Sequence, residues 1–303
     1  MSHPHRHARA LPHSPGEVRF SASKTLLLWG HLLPVLAFGA QTATPGLIAG
    51  SAALCAVCLC LGHSVGLHRG LIHRSFSMGR ATRFALCLLA TLTGIGPVLR
   101  LMDLHDLRDQ WQNRSECPAY YSYHHGALRD LWWVLHCAHQ PQPGQERLPT
   151  PTAGRYQGAP ELRALDRLWW LPHLLLAPVL FGLGGWGGLV WGHCARVAMG
   201  VLGHWFVNFC AHRYGALDWS VEHSGEEGRN NSLFGMISMG EGWHNNHHAF
   251  PHSARFGQVW WQADPGWWAI CALRRLGLVW AVVEDTGAQP RPGAARLRVG
   301  GHG

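Results

Sequence analysis

Four apolar blocks constrain the fold of this chain more than any other feature. They cover residues 25–40, 46–66, 168–185 and 188–209. Each approaches the roughly 20 apolar residues that a helix needs to cross the hydrocarbon core of a bilayer. A turn-like run from Thr42 to Gly46 joins the first two blocks, and a glycine-rich run from Gly182 to Gly188 joins the last two. The pattern predicts an all-α integral membrane protein with four transmembrane helices in two hairpins.

The distribution of positive charge predicts on which side of the membrane the polar segments lie. With four spans, the basic N-terminal region, the Arg-rich region 67–167 and the C-terminal third share one side, and the two connecting turns carry no Lys or Arg. The positive-inside rule makes that side cytoplasmic. We therefore expect a multi-pass protein of a bacterial inner membrane. A signal peptide ending near Ala37–Ala40 is the alternative for the first block, but the second block is better explained as its hairpin partner.

The apolar segment 84–99 is the main ambiguity in this topology. A crossing here would put His68 and His73 on the opposite membrane face from everything after residue 100. We therefore expect the segment to lie in the plane of the membrane or against the helical bundle.

Polar stretches flank this membrane domain, which we place at residues 25–286. Residues 1–24 are basic and contain several histidines, and residues 287–303 are rich in Arg, Gly and Pro. Both are expected to be disordered tails, although the first could also bind metal. The Pro-rich residues 141–160 are expected to form a loop.

The net charge of +8 comes from arginine, since Lys24 is the only lysine. The arginines flank apolar runs and form no basic stripe with exposed aromatics, so nucleic-acid binding is not expected. Three of the cysteines lie inside one apolar run, where they are expected to be small buried hydrophobic residues of a protein in a reducing compartment.

Histidine is far more frequent than packing requires, with 23 residues. The sharpest group lies between Gly240 and Pro251 and contains His244, His247 and His248. On a helix these three fall within about a 100° arc, so their neutral imidazoles can face one cavity and hold one or two metal ions.

Two further groups stand at the ends of predicted spans. His68 and His73 are five residues apart, which puts their imidazoles about 140° apart on an ideal α-helix, so we expect them to flank a site rather than chelate one ion. Asn208 and His212 are four residues apart and share one helix face. Deeper in the spans, His63 and His204 continue these two series, and for both a structural role is favoured.

The number of histidines indicates two metal ions. A zinc hydrolase needs only about three protein ligands, whereas at least six histidines are well placed here. Imidazole suits iron, and two irons can activate dioxygen. A di-iron site in an apolar membrane protein points to oxidation of a lipid.

These motifs resemble the membrane fatty-acid desaturases of the acyl-CoA, or stearoyl-CoA, type. The resemblance rests on the stretches Gly66 to Phe76, Phe206 to Gly215 and Gly240 to Pro251, and it covers roughly residues 45–285. It implies a four-helix membrane bundle with a cytosolic helical cap that holds two irons. The family's nine histidine ligands come from one H-x4-H box, two H-x2-H-H boxes and one extra histidine. Matched residue by residue, the implied metal-site positions are His68, His73, His105, Asn208, His212, His244, His247 and His248, with Asn208 at the position that holds a metal-bound water.

The middle box departs from the family pattern. After His105, the two adjacent histidines are replaced by Arg108 and Asp109. Asp109 is expected to be an oxygen ligand, because a helix presents residues four apart to one cavity. Arg108 cannot be a ligand and is expected to project about 100° away, towards solvent, a headgroup or a nearby carboxylate. Two alternatives stay open: the pair His124-His125 completes the box, or the site is altered or defective.

The resemblance implies dioxygen-dependent desaturation of a fatty acyl chain, presented as acyl-CoA or within a membrane lipid. The two electrons must come from a separate ferredoxin- or cytochrome-type protein, because the sequence has no dinucleotide fingerprint. A lipid hydroxylase is one alternative, since the same site could insert oxygen instead of removing a second hydrogen. A catalytically silent metal-binding membrane protein is another.

Overall fold

The chain folds into helices joined by short loops and three small sheets. A computed structural model describes residues 16–115, 117–140, 151–284 and 290–297. The longer helices are α1 (Ala22–Thr42), α2 (Pro45–Val57), α3 (Arg80–Leu92), α4 (Val98–Gln112), α5 (Ala127–His136), α8 (Leu171–Gly187), α9 (Arg196–Arg213) and α12 (Pro265–Arg275). The shorter helices are α6 (Pro151–Arg155), α7 (Pro160–Arg167), α10 (Ser232–Ile237) and α11 (His244–Ala249). Two π-helical stretches, Cys58–Ile72 and Gly188–Ala195, extend α2 and connect α8 to α9.

Among the described residues, three helices are long and apolar enough to cross a membrane: Ala22–Thr42, Pro45–Ile72 and Leu171–Arg213. Exposed apolar side chains such as Leu26, Leu183 and Trp186 cover α1 and α8, as lipid-facing surfaces require. The mostly helical fold is thus confirmed together with membrane-compatible helices.

The first hairpin turn follows from local chemistry. Thr44 is extended and its side chain accepts a hydrogen bond from the backbone N–H of Leu47 at 3.2 Å, and Pro45 occupies the first turn of α2. A threonine cap followed by proline is a common helix start. It separates α1 from α2.

The third candidate span contains both of the apolar blocks that we assigned to a second hairpin. Its helical geometry breaks at Gly184 and Gly185, and Gly185 has a φ of +55°. Beyond the break, a Cβ on Gly188 would collide with the carbonyl oxygen of Leu180, and one on Gly192 with the Leu180 side chain. The two halves therefore pack closely through glycine.

The ambiguous segment 84–99 does not form one helix. Helix α3 ends at Leu92, because Gly94 and Gly96 follow with φ of +80° and +146°. The helix packs along the π-helical stretch, and Cβ atoms on Gly62 and Gly66 would collide with residues of α3. It is not among the helices long enough to span, and its orientation in the membrane stays a prediction.

A polar cap is built from the remaining helices and from strand pairs that join distant parts of the chain. The strands are β1 (Glu17–Phe20), β2 (Ser77–Met78), β3 (Cys137–Gln140), β4 (Trp219–Val221), β5 (Val279–Trp280) and β6 (Ala294–Arg296). Antiparallel pairs form between β1 and β3, between β2 and β5, and between β4 and β6. These pairs hold both ends of the domain against the cap.

Some strands and helices lie within the segments that we expected to be tails or a loop. Residues 17–20 and the start of α1 are ordered within the range 1–24, and β6 is ordered within the range 287–303. In the Pro-rich segment 141–160, helix α6 forms and the start of α7 follows. Residues 1–15, 141–150, 285–289 and 298–303 lie outside the described residues, and so do the expectations for them.

Candidate metal centre

Four histidines meet where the end of the π-helical stretch Cys58–Ile72 converges with α4 and α11. The ligand atoms of His68, His73, His105 and His247 all lie within 4.8 Å of one another, and we call this group the first cluster. Three of the four side chains are buried. Such a group of imidazoles can hold one metal ion.

The π-helical winding explains how His68 and His73 come together. The backbone N–H of His73 donates to the carbonyl of His68 at 3.0 Å, a five-residue step. In a π-helix this step returns almost to the same face, whereas in an α-helix it does not. The two ring centroids are therefore 4.8 Å apart. The structure thus groups the two residues in one cluster, whereas the expectation that they flank the site assumed α-helical geometry.

The second cluster consists of His212, His244 and His248, whose ligand atoms also lie within 4.8 Å of one another. The Nε2 atoms of His244 and His248 are only 3.1 Å apart. The clusters adjoin through α11, where the rings of His244 and His247 are 5.7 Å apart. The structure thus gathers seven predicted histidines into two neighbouring groups.

Asparagines hold α11 in place. The side-chain oxygen of Asn230 accepts from the backbone N–H groups of Asn245 and Asn246, each at 3.1 Å. The Asn245 side chain in turn bonds the backbone of Trp219 and Gly228, on β4 and the following loop. Because the first N–H groups of a helix have no partner within it, these bonds fix the start of α11. The two asparagines inside the last histidine box therefore serve as anchors.

Two carboxylates face histidines of the first cluster. Glu241 Oε2 lies 2.6 Å from Nδ1 of His68, and Asp109 Oδ2 lies 3.3 Å from Nδ1 of His105. A carboxylate on one ring nitrogen fixes the tautomer and turns the other nitrogen towards the metal. Asp109 is not among the clustered ligand atoms. Sequence reasoning missed Glu241, although it lies within the last motif, three residues before His244.

Burial raises the pKa of Glu241, but His68, Arg69 and the Ser64 hydroxyl outweigh that effect and hold the pKa at about 2. The carboxylate is therefore charged and can accept a hydrogen bond from a protonated Nδ1 of His68. This charge helps a histidine ligand to present its other nitrogen.

Arg108 points into the protein, contrary to the expectation that it faces solvent or a headgroup. Its Nη1 donates to Oδ1 of Asn208 at 2.9 Å, and its guanidinium lies close to the Tyr123 hydroxyl. The Asn208 amide nitrogen donates to the carbonyl of His204 at 2.7 Å. The ideal helical angle failed to predict this because α4 packs with both sides against protein.

The alternative pair His124-His125 lies outside both clusters. His124 is exposed and lies 3.4 Å from Glu226, whereas His125 is hydrogen-bonded to the buried Asp130 at 2.8 Å. Trp205 donates to the other oxygen of Asp130, also at 2.8 Å. His125 thus serves a contact between α5 and α9.

A buried ion pair fixes the helix that carries His68. Arg69 forms two hydrogen bonds with the carboxylate of Asp264, at 2.9 and 3.2 Å, and its guanidinium lies 3.9 Å from the ring centre of Phe256. That ring lies 4.4 Å from the His247 ring. The pair therefore ties the π-helical stretch to α12 and packs against the first cluster.

The donor set fits metal ions. Burial, followed by the charges of neighbouring groups, lowers the pKa of His73, His105, His244 and His247 well below its ordinary value, and that of His248 to about 3. These imidazoles are neutral, as ligation requires. Buried Nε2 atoms of His68, His73 and His212 and Nδ1 of His247 have no hydrogen-bond partner. Unsatisfied buried nitrogens turned towards one another are what an ion would satisfy.

Comparison with known proteins finds similarity to fatty acid desaturases. The family model for fatty acid desaturases matches residues 43–283. An acyl-CoA 5-desaturase of Anemone leveillei is 32% identical over 75% of this chain and 69% of its own length. An sn-1 stearoyl-lipid 9-desaturase of Synechocystis is 29% identical over 82% and 75%, and an sn-2 palmitoyl-lipid 9-desaturase of Nostoc is 31% identical over 74% and 77%.

Proposed function

The chain belongs to the fatty acid desaturase family of oxidoreductases, and we propose that it desaturates a fatty acyl chain at a di-iron centre held by the two histidine clusters. The observation that carries the proposal is the convergence of seven histidines in two adjacent clusters. The names of the relatives include both acyl-CoA and acyl-lipid desaturases, so either carrier suits the proposal.

The two clusters support one assignment of the metal positions. His68, His73, His105 and His247 would hold one iron, and His212, His244 and His248 the other. When bound, two irons activate dioxygen, with two electrons, for removal of two hydrogens. Glu241 and Asp109 lie nearest Nδ1 of His68 and His105 and would favour the tautomers with the proton on Nδ1, which leaves Nε2 of each ring for the first position. We therefore propose that Asp109 positions His105, in place of the ligand role predicted from the sequence.

Asn208 has a related positioning role. Its side-chain amide is engaged by Arg108 and by the His204 carbonyl, and its backbone carbonyl accepts a hydrogen bond from Nδ1 of His212 at 2.8 Å. It thereby fixes the tautomer of His212 and the direction of Nε2. A water bound to the second iron could bond to the Asn208 side-chain oxygen only if that oxygen also keeps its hydrogen bond from Arg108.

The membrane arrangement that we propose has four spans and a cytoplasmic active site. The break at Gly184 and Gly185 divides Leu171–Arg213 into two packed halves. His73 follows the end of one candidate span and His212 lies near the end of another, so a water-accessible centre lies at one membrane surface. Arginine-rich segments share this side, which favours the cytoplasm of a bacterium.

The electrons would come from a separate ferredoxin- or cytochrome-type protein. A surface depression leads to the first cluster and is lined by His73, Asp109, Arg74, Arg155 and His252. It brings solvent close to His73 and Asp109. This supports electron delivery from outside the chain.

The direct test is the mass of lipids in a bacterial host that expresses the chain with a redox partner. New acyl chains two hydrogens lighter, absent with His247→Ala, support desaturation. Products one oxygen heavier favour the hydroxylase, whereas bound iron with no new product favours the silent protein. Labelling of single cysteines at residues 78 and 115 from the cytoplasmic side tests the topology, and labelling of either from the opposite side contradicts it.

A further inference from the structure

The two proposed metal positions are unequal in ligands. The first cluster offers four imidazoles and the second offers three. In the place where the sequence pattern would supply another histidine, α4 carries Arg108. A guanidinium donates hydrogen bonds and cannot coordinate a cation.

Arg108 is held beside the second cluster from two sides. Its Nη1 bonds Asn208, the residue whose carbonyl accepts from His212. Its other contact, Tyr123, stacks on the His212 ring with centroids 4.2 Å apart and planes inclined by 19°. Two fixed neighbours of one ligand therefore orient the guanidinium.

The charge of Arg108 acts on the neighbouring carboxyl of Asp109, but the two groups form no salt bridge within the described ranges. Its partners Asn208 and Tyr123 are uncharged side chains, and no carboxylate of the described ranges forms a salt bridge with it. The guanidinium has five N–H donors, of which these contacts use only part. A cation bound by His212, His244 and His248 would be repelled by this permanent charge in a site of low dielectric.

We propose that the second cluster binds its metal ion together with a small anion, which bridges the ion and the guanidinium of Arg108. The anion supplies the coordination that the missing imidazole does not, and its negative charge reduces the repulsion between the metal ion and the guanidinium. Its chemical class is a compact oxygen or nitrogen donor such as a carboxylate or azide, because such an anion can coordinate a metal ion and also accept a charge-assisted hydrogen bond from the guanidinium. The inference rests on the proposed metal centre and adds a ligand to it.

Metal uptake without turnover tests this proposal. Metal-free protein in detergent is titrated anaerobically with Fe²⁺ or Co²⁺, with and without sodium azide, at constant ionic strength. Bound metal is counted after removal of free ions. We expect one tightly held equivalent without azide, and a second that binds at least about tenfold more tightly with azide, the size of one charge-assisted hydrogen bond.

Variants assign the effect to Arg108. Arg108→Gln removes the charge, and Arg108→His supplies an imidazole, so the second equivalent should bind without an azide effect in both. Arg100→Gln, at an exposed position of the same helix, should keep the azide effect. Retention of the first equivalent in every variant reports an intact cap.

The outcomes separate the two proposals. Two wild-type equivalents of equal affinity without azide overturn the anion-dependent site, as does an azide effect that survives in Arg108→Gln. A protein that binds no metal at the first cluster overturns the proposed centre itself. If the protein makes desaturated product but azide does not change the affinity for the second metal equivalent, the proposed function holds. Only the proposed role of Arg108 is then refuted.

Discussion

The side-chain oxygen of Asn230 lies 3.1 Å from the backbone nitrogen of Asn246, inside the last histidine box. We predict that Asn230→Ala costs about 0.5–2 kcal/mol, as loss of a helix cap does, and loosens α11. Because α11 carries ligands of both clusters, metal should be lost from both. Elemental analysis after dialysis measures this. Asn231→Ala is the matched control, since it removes the cap of α10, which carries no cluster histidine.

Replacing Glu241 by Gln should weaken metal binding at the first cluster. The amide has no negative charge with which to hold the Nδ1 proton of His68, and loss of such a partner lowers metal affinity by about 10- to 100-fold. The rate of iron loss to a chelator measures it. Glu227→Gln is the control, because Glu227 bonds Ser220 and the Val221 backbone and contacts no cluster histidine. Equal rates in the two variants would contradict the role of Glu241.

Asp109→Asn separates positioning from ligation. If Asp109 only orients His105, the variant should keep its metal with an affinity reduced about tenfold, the lower end for loss of such a partner. If Asp109 is a direct ligand, the variant should instead lose metal from the first cluster, and the absorption of bound Co²⁺ should change. Asp106→Asn serves as control, since Asp106 holds Thr152 of α6. Unchanged metal affinity and turnover would exclude both roles.

Breaking the buried pair should destabilise the protein more than removing it. Arg69→Met leaves the Asp264 carboxylate buried without its cation, and we expect a cost of about 3–5 kcal/mol. Arg69→Met combined with Asp264→Leu should recover part of this loss, although Asp264 also accepts from the backbone of Phe256, Gly257 and Trp267. Unfolding in detergent, followed for both single variants and the double variant, gives the coupling. Additive costs would show that the pair is not coupled.

A carboxylate remote from the clusters should contribute to acid sensitivity. The hydrogen bond from Arg83 is the largest influence that lowers the pKa of Glu161 from 4.5. Because the folded pKa lies below the unfolded one, the stabilisation is complete well above pH 4.5 and is lost as the pH falls through the folded value. Glu161→Gln should therefore be less stable than the wild type at neutral pH, and the difference should shrink below about pH 4.5. Thermal unfolding over this range measures it, and a difference independent of pH would contradict the assignment.

The histidine positions were predictable because ligand chemistry restricts residue type and spacing. Seven predicted histidines meet in the two clusters. The arrangement of His68 and His73 was not predictable, since no local sequence rule separates a π-helix from an α-helix. The direction of the Arg108 side chain could not be predicted either, because it depends on Asn208 and Tyr123, which only the tertiary fold brings close.

The boundaries of the spans could also be predicted from the sequence, whereas the pairing of the strands could not. Apolar length located the candidate spans, and the threonine-proline cap separated α1 from α2. Pairing of β1 with β3 and of β4 with β6 could not be predicted from the sequence, because each pair joins short segments far apart in the chain. Their stability comes from the cap that surrounds them.

The contact between Arg69 and Asp264 joins residues 195 positions apart. During synthesis, the ribosome releases the arginine, near the end of an inserted helix, long before its carboxylate exists. The insertion machinery must therefore accept an unpaired cation, which the preceding apolar run of α2 makes possible. Assembly of the first cluster then waits for α11 and α12 to emerge. We therefore expect metal loading of the proposed centre to be a late event, after the candidate spans have entered the bilayer.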